Sequence, residues 1–258
     1  MVAQEQEKHK PMIHVHDLWK SYGPFKVLQG LSLDVFEGET LVILGRSGVG
    51  KSVLLKQIIG LEKPDKGFVE INGTSIIDIP IQKRFKDVKK MGMLFQNAAL
   101  FDSMTIEENT VFYLRQHEKI PEKELQERAR KALQMVGLEG SEKKMPSEIS
   151  GGMKKRAALA RVIIYEPAII LYDEPTAGLD PITSVHINEL INKTKEELKA
   201  TSIVVTHDLR SALEVGDRLA LHHEGKIEKI ASKEQFFHIE DPLIQSFFEK
   251  ASLKGVYD

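Results

Sequence analysis

One stretch of the sequence reads Gly45-Arg46-Ser47-Gly48-Val49-Gly50-Lys51-Ser52. It fits the pattern G-x-x-x-x-G-K-[S/T], in which glycines let backbone N–H groups turn inward around phosphate oxygens. Lys51 can bring a positive charge to the β- and γ-phosphates, and the hydroxyl of Ser52 can bind Mg²⁺. The stretch therefore predicts a loop that binds a nucleoside triphosphate together with magnesium. The alternative is a glycine-rich turn that only caps a helix.

The flanks of this loop favour phosphate binding. Thr40–Leu44 is an apolar run of strand length, and Ser52–Leu61 carries apolar residues at helical spacing. Phosphate loops of this type lie between a strand and a helix, and the helix adds the positive end of its dipole. Upstream, Met12–Val35 alternates between apolar and polar residues, and a turn signal at Ser21–Pro24 divides it into two predicted strands.

The rest of the chain predicts one α/β domain with a helical insertion. Between Asn97 and Tyr165, Glu, Lys, Arg, Ala and Leu dominate and β-branched runs vanish, which predicts helices. Helices are also predicted at Pro181–Lys199 and around Leu243–Phe248. Further strands are predicted at Phe68–Ile71, Met93–Gln96, Ala168–Tyr172, Ser202–Thr206, Arg218–His222 and Lys226–Ile230.

Composition and charge argue against several classes of protein. There are 36 Lys and Arg residues against 38 Asp and Glu, and the formal charge of −2 argues against a chain held on nucleic acid by bulk positive charge. No apolar run approaches the ~18 residues that a membrane-spanning helix needs. We expect no cleaved secretory signal, because residues 1–10 are polar and charged. The absence of cysteine excludes disulfides and thiolate chemistry and favours the cytoplasm.

Two further segments carry candidate functional residues. Ala168–Tyr172 leads into Asp173 and Glu174, and neighbouring side chains of a strand point to opposite faces, so the two carboxylates are expected to differ in role. One can reach Mg²⁺ and the other an attacking water. Ser150 is a predicted helix cap, and the following Gly151-Gly152 leaves N–H groups suited to an anion. Taken alone, an acidic pair such as Asp173-Glu174 is commonly the start of an exposed loop. Taken alone, Ser150-Gly151-Gly152 before a helix is usually only a cap.

Together these motifs resemble the nucleotide-binding subunit of ATP-binding-cassette (ABC) transporters, from about Met12 to Phe248. The resemblance implies a P-loop NTPase α/β fold with a central, mostly parallel sheet, an N-terminal antiparallel β subdomain and an inserted helical subdomain. It also implies a flexible N-terminus at 1–11 and one ABC nucleotide-binding domain at 12–258. Within that domain the implied parts are an ATP-binding core at 12–96 and 166–230, a helical subdomain at 97–165, and C-terminal helices at 231–258.

The resemblance also assigns roles to single residues, with ATP and Mg²⁺ as cofactors. Glu174 would be the catalytic base and His207 the switch histidine, and the implied catalytic residues are Lys51, Gln96, Glu174 and His207. The implied magnesium ligands are Ser52, Gln96 and Asp173. Tyr22 would stack on adenine, with Trp19 and Phe25 as alternatives. The other implied nucleotide contacts are the whole loop Gly45–Ser52 with Val53, and the signature residues Ser150, Gly151 and Gly152.

Two positions depart from the usual family pattern. The last signature residue, usually Gln, is Met153, and the Thr that usually follows the loop serine is Val53. Met153 cannot supply the hydrogen bonds of an amide side chain, so nucleotide contact would rest on Ser150 and the glycine N–H groups. Both departures, with Asn97–Thr105 and Asp180–Thr183, look like the Mla (maintenance of lipid asymmetry) branch. That likeness implies phospholipid transport.

The resemblance implies partners as well. Two copies would pair head to tail, with ATP between the phosphate loop of one copy and the signature of the other. A membrane permease would dock near Asn97–Thr105, a lipid-binding substrate protein would join the complex, and the chain would lie peripherally on the cytoplasmic face of the inner membrane. No nucleic acid is expected. Two alternatives stay open: an ABC subunit for another cargo, and a soluble ABC protein acting on DNA or ribosomes.

Several other features have ordinary explanations. His14, His16 and the pair His222-His223 lack carboxylate partners at metal-ligand spacing and are predicted to be surface residues. The basic cluster at 83–90 is predicted to be a solvated face, with contact to anionic lipid headgroups as the alternative. The apolar residues of Leu243–Phe248 are predicted to pack on the domain or, alternatively, to form a dimer contact.

Overall fold

The computed structural model describes residues 10–76, 91–236 and 238–250, which form ten strands and eight α-helices. The strands are β1 (Ile13–Tyr22), β2 (Phe25–Val35), β3 (Thr40–Leu44), β4 (Lys66–Ile71), β5 (Thr74–Ser75), β6 (Met91–Leu94), β7 (Ile169–Asp173), β8 (Thr201–Thr206), β9 (Arg218–His223) and β10 (Lys226–Ser232). The helices are α1 (Lys51–Ile58), α2 (Ile106–His117), α3 (Glu122–Met135), α4 (Gly151–Ile163), α5 (Pro181–Leu198), α6 (Leu209–Val215), α7 (Lys233–Phe236) and α8 (Pro242–Lys250). Within these ranges, no helix has both the length and the apolar character needed to cross a membrane.

A six-stranded sheet with the order β10-β9-β3-β8-β7-β6 carries the predicted phosphate loop Gly45–Ser52 after β3. β3 pairs in parallel with β8 and β9, and β7 pairs in parallel with β8 and β6, whereas β9 and β10 form an antiparallel hairpin. All five residues of β3 are buried, as expected of an apolar strand covered on both faces. Because parallel strands end at one edge of a sheet, the loops after β3, β7 and β8 meet there.

Two apolar cores lie on opposite faces of this sheet, and alternate residues of β3 divide between them. Leu41 and Ile43 belong to a core with α1 and the antiparallel sheet, while Val42 and Leu44 belong to a core with the inserted helices. The antiparallel sheet has the order β2-β1-β4-β5, and Tyr22 pairs with Phe25 beside the turn that joins β1 and β2. The predicted α/β architecture is confirmed.

Helices α2, α3 and α4 lie between β6 and β7, where composition predicts the insertion. α2 begins with a capping box, in which the Thr105 hydroxyl accepts from the Glu108 N–H and the Glu108 carboxylate accepts from the Thr105 N–H. The buried Asn109 amide nitrogen lies 3.0 Å from each of the carbonyls of Phe101, Met104 and Thr105. These bonds fix the path of the segment before α2.

Most predicted elements are present with shifted ends. The strand predicted at Met93–Gln96 is β6, which ends at Leu94 opposite Tyr172 of β7, so Gln96 lies exposed beyond the sheet. The helix predicted at Ser52–Leu61 is α1, which ends at Ile58. Gly60 has a φ of 75° there, and the Leu61 N–H closes the helix end on the carbonyl of Lys56 (2.8 Å).

Some predictions fall outside the described residues. These are residues 1–9 of the flexible N-terminus predicted at 1–11, the side chains of Phe247 and Phe248, and the basic cluster of Lys83, Arg84, Lys86, Lys89 and Lys90. Ile244 of α8 is fully buried and Leu243 packs against the same core, as predicted for packing on the domain. The division into ATP-binding core and helical subdomain stays a prediction.

Candidate functional site

The phosphate loop connects β3 with α1. Gly48 and Gly50 have φ angles of 83° and 105°, which L side chains rarely adopt. A Cβ atom at Gly50 would also lie 2.5 Å from Cγ1 of Val27 on β2. Position 50 therefore requires glycine for both backbone conformation and space, and α1 begins directly after it at Lys51.

Lys51 is held inside this loop. Its side chain is nearly buried, and Nζ donates to the carbonyls of Gly45 (2.7 Å) and Arg46 (2.9 Å). The same Nζ lies 3.1 Å from Oε1 of Glu174, which follows β7. These contacts fix the positive charge at the loop, where a phosphate group would need it.

Ser52 and Asp173 form the oxygen pair expected of a magnesium site. The Ser52 hydroxyl donates to Oδ1 of Asp173 over 2.7 Å. Burial raises the pKa of Asp173, the hydrogen bond from Ser52 counteracts the rise, and the charge of Glu174 adds to it. Mg²⁺ takes few protein oxygens and completes its shell with water and phosphate, so this pair fits the ion. Within the described residues no set of three or more His, Asp or Glu side chains could hold a metal ion.

Glu174 reaches the same site through a left-handed backbone conformation. β7 ends at Asp173, and Glu174 has a φ of 47° while its N–H still donates to the carbonyl of Val205 (2.9 Å). Its Oε2 lies 2.9 Å from Nδ1 of His207 and accepts from the His207 backbone N–H (3.3 Å). Strand alternation stops at Asp173, so both carboxylates point towards the phosphate loop. Their partners differ, Ser52 for Asp173 and Lys51 with His207 for Glu174.

A cavity of about 310 Å³ lies between these groups. Its lining residues are Val27, Ser47, Gly48, Gly50, Lys51, Ser52, Val53, Gln96, Glu174 and His207. Three residues of the loop do not line the cavity: Gly45, Arg46 and Val49. Asp173 does not line it either, but it contacts the lining residue Ser52. Sequence reasoning missed Val27, because nothing in the sequence distinguishes it from other apolar strand residues.

Tyr22 does not line this cavity. The residue is 45% exposed, its hydroxyl donates to Glu62, and the ammonium group of Lys20 lies 5.5 Å from its ring centre. Burial and the neighbouring Glu62 raise the pKa of Tyr22 to about 12. The alternatives differ: Phe25 is 73% exposed, whereas the Trp19 indole N–H is bonded to Asp17 (2.9 Å). Adenine stacking on Tyr22 stays a prediction.

The signature residues begin α4, away from the cavity of the same chain. The Ser150 hydroxyl accepts from the Met153 N–H (3.3 Å) and caps the helix, as predicted. Gly151 is exposed, and a Cβ atom there would meet nothing within 4 Å. A Cβ atom at Gly152, by contrast, would lie 2.6 Å from Cγ2 of Thr183 on α5. Gly151 therefore faces open space, while Gly152 is needed for helix packing.

His222 is buried, so its predicted surface position is wrong. It is 1% exposed, lies on β9 beside β3, and neither ring nitrogen has a hydrogen-bond partner within the described part of the chain. Burial, the charge of Lys51 and the neighbouring His223 lower its pKa to about 4. Its carbonyl lies 2.8 Å from the point where a Cβ of Gly45 would stand. No sequence signal separates it from His14, which lies 2.5 Å from Asp34, or from the exposed His16.

Comparison with protein families gives a match over residues 28–177 to the model described as "ABC transporter". A Mycobacterium leprae protein named probable ribonucleotide transport ATP-binding protein mkl is 40% identical over 91% of this chain, which spans 68% of that protein. The Arabidopsis thaliana protein trigalactosyldiacylglycerol 3, chloroplastic, is 39% identical over 92% of this chain and 73% of its own length. The methionine import ATP-binding protein MetN of Clostridium tetani is 38% identical, with coverages of 92% and 80%.

Among solved structures, the chain is similar to the ATP-binding cassette MJ0796 in a dimeric, post-hydrolysis state bound to ADP and Pi. The TM-score is 0.79 and the sequence identity 32%, over 86% of this chain and 99% of the other. That structure is therefore a relative in sequence as well as in fold.

Proposed function

Because the chain belongs to the ABC transporter family of ATP-binding proteins, we propose that its ATP hydrolysis powers phospholipid transport through an associated membrane permease. The observation that carries the catalytic part is the meeting of Lys51, Ser52, Glu174 and His207 at one cavity. Lys51 and Ser52 begin α1 after β3, Glu174 follows β7 and His207 follows β8, all at the carboxyl edge of the sheet. Phosphoryl transfer depends on such positioning and charge stabilisation more than on covalent chemistry.

In the proposed mechanism, the chain's own groups position phosphate and water. The backbone N–H groups of Gly45–Ser52 and the N-terminus of α1 bind the phosphates. Magnesium, when bound, would neutralise charge on the phosphate oxygens, and Ser52, Asp173 and Gln96 would hold it. Glu174 orients the attacking water and accepts its proton, while His207 fixes the Glu174 carboxylate.

The ion pair between Lys51 and Glu174 gives nucleotide binding a direct effect on the base. Nζ of Lys51 lies 3.1 Å from Oε1 of Glu174, so a γ-phosphate and this carboxylate compete for one ammonium group. When a phosphate binds the Lys51 ammonium group in its place, the Glu174 carboxylate keeps only its contact with His207 and is free to bind water. We propose this exchange as the step that readies the base.

Two variants test the catalytic proposal. Lys51→Ala should lower the ATPase rate by at least ~100-fold, because the phosphates lose their fixed positive charge. Glu174→Gln should still bind ATP but hydrolyse it at least ~100-fold more slowly, since the amide cannot accept the proton. Steady-state phosphate release and nucleotide titration measure the two effects. Lys131→Ala, at an exposed position of α3, is the control and should keep the wild-type rate; brisk hydrolysis by Glu174→Gln would assign the base elsewhere.

Phospholipid is the proposed cargo on narrower support. Met153, Val53 and the segments Asn97–Thr105 and Asp180–Thr183 resemble the Mla branch, and one relative is named for a glycerolipid. Other relatives are named for ribonucleotide transport and methionine import, so another cargo is the alternative. Affinity purification from membranes, with identification of the co-purified proteins and lipids, decides between them: a permease with phospholipid supports the proposal, and a permease with another solute contradicts it.

The proposed contact with the permease is the segment Asn97–Thr105 before α2. The chain itself is proposed to lie peripherally on the cytoplasmic face of the inner membrane. Phe101 is 41% exposed and packs against Phe112 at a ring-centre distance of 4.6 Å. The Asn109 amide donates to the carbonyl of Phe101 and so fixes the backbone that carries this exposed aromatic side chain. Such a surface suits a short helix of a membrane partner. A lipid-binding substrate protein is proposed as a further member of the complex.

A further inference from the structure

Lys155 of α4 is a buried lysine whose charge faces main-chain carbonyls. Its side chain is 6% exposed, and Nζ donates to the carbonyls of Glu174 (3.2 Å), Pro175 (2.8 Å) and Ala177 (2.8 Å). An ammonium group has three N–H donors, so all three are used. The acceptors belong to one segment, 174–177, which begins with the proposed catalytic base.

This arrangement is more than a means of packing α4 on the sheet. Removing an ammonium group from water is costly, and an apolar side chain of similar volume would fill the same space without that cost. Burial lowers the pKa of Lys155 to about 8, while the charges of Glu174 and Asp173 counteract the fall. The ammonium group of Lys155 loses water and gains three carbonyl acceptors in return. Those carbonyls converge on it only in the observed conformation of segment 174–177.

The held segment needs such support because Glu174 sits in a left-handed conformation with a φ of 47°. That conformation costs about 1 kcal/mol or more in a non-glycine residue and persists only where surrounding contacts fix it. On one side Glu174 is bound to Val205 of β8 through its N–H (2.9 Å). On the other side its carbonyl is bound by Lys155, so the backbone of the base is fixed at both ends of the residue.

We propose that Lys155 is a positioning residue for Glu174. It fixes the backbone that aims the carboxylate, and it connects that backbone to the helix that starts at the signature residues Ser150, Gly151 and Gly152. A displacement of the α4 start then moves the base, so anion binding at the signature is transmitted to hydrolysis. This inference rests on the role proposed for Glu174.

The test uses Lys155→Met, which keeps the length and removes the donors, and Lys155→Arg, which keeps the charge. Lys155→Met should lower kcat by about 10- to 100-fold, the loss typical of a misplaced catalytic group, and change the KM for ATP less than about 3-fold. Lys155→Arg should recover most of kcat. Lys131→Met, at an exposed position of α3, is the control and should match wild type. If Lys155→Met is too unstable to assay, Lys155→Leu, which likewise has no donor, replaces it.

A double-variant cycle with Glu174→Gln separates positioning from a merely structural role. If Lys155 acts through the base, Lys155→Met should lower the residual rate of Glu174→Gln less than about 3-fold, because the effects of groups acting as a unit do not add. A full additional loss in that background, an unchanged kcat in Lys155→Met, or an equally impaired Lys155→Arg would each overturn the inference. Rapid hydrolysis by Glu174→Gln itself would contradict the proposed base and not the contacts of Lys155.

Discussion

At the residue scale, the site depends on where regular structure stops. Asp173 is the last residue of β7, and strand alternation would direct the next side chain to the opposite face. Glu174 instead takes a φ of 47°, and its carboxylate reaches Lys51 and His207. A glutamate in that conformation is uncommon and is retained where neighbouring contacts require it. The sequence shows the acidic pair but not this change of backbone direction.

His222 provides a pH test at the same scale. Its pKa is about 4 in the folded chain against about 6.5 when exposed, so below pH 6.5 the unfolded chain takes up a proton that the folded chain does not. The free energy of unfolding should therefore fall by about 3 kcal/mol through this group as the pH drops from 6.5 to 4. His222→Leu should remove that part of the pH dependence, as measured by urea unfolding at several pH values.

The control for this measurement is His16→Leu, because His16 is exposed on β1. It should retain the wild-type slope of stability against pH. If His222→Leu and wild type lose stability in parallel between pH 6.5 and 4, the buried imidazole is not the group responsible.

At the element scale, strands and helices with strong patterns could be predicted, whereas contacts between them could not. β3 runs over Thr40–Leu44 as predicted, because a solid apolar run followed by a glycine-rich loop leaves few alternatives. The start of α4 at Gly151 follows from Ser150 as a cap. The approach of α4 to α5 has no such local cause. It depends on the missing side chain of Gly152, which leaves room for Thr183.

A four-member variant cycle tests this helix contact. Gly152→Ala should lower the free energy of unfolding by about 1–3 kcal/mol, because the new Cβ would lie 2.6 Å from Cγ2 of Thr183. Thr183 cannot simply rotate, since its hydroxyl donates to Asp180 over 2.6 Å. Thr183→Ser removes the clashing methyl group and keeps that hydroxyl, so Gly152→Ala with Thr183→Ser should be as stable as Thr183→Ser alone. Urea unfolding measures all four proteins, and an equal loss in both backgrounds would contradict the contact.

At the scale of the whole molecule, the sequence predicts two anion-binding helix starts but cannot place them relative to each other. The phosphate loop lines the cavity, whereas Ser150, Gly151 and Gly152 do not line it. Their separation is a property of the tertiary fold, in which α4 belongs to the insertion and α1 packs on the opposite face of the sheet. On the proposed function, each chain would present two halves of different sites. A second copy, turned head to tail, would supply the missing half.

Mixing two inactive variants tests this pairing. Gly151→Asp places a carboxylate in open space at the start of α4, where the helix dipole accepts it but a phosphate would be repelled. Gly151→Asp and Lys51→Ala should each be inactive alone. In a mixed pair, one site combines both defects and the other has none, so an equal mixture should regain roughly a quarter of the wild-type rate per chain.

Lys51→Ala mixed with the double variant Lys51→Ala/Gly151→Asp is the control. It must stay inactive, because neither chain then supplies Lys51 to any site. An inactive first mixture would show that the two helix starts do not meet across chains, and full activity of Gly151→Asp alone would show that the α4 start does not contact nucleotide. Recovery in the first mixture alone is explained only by sites assembled from two copies, since no single chain in it carries both an intact loop and an intact signature.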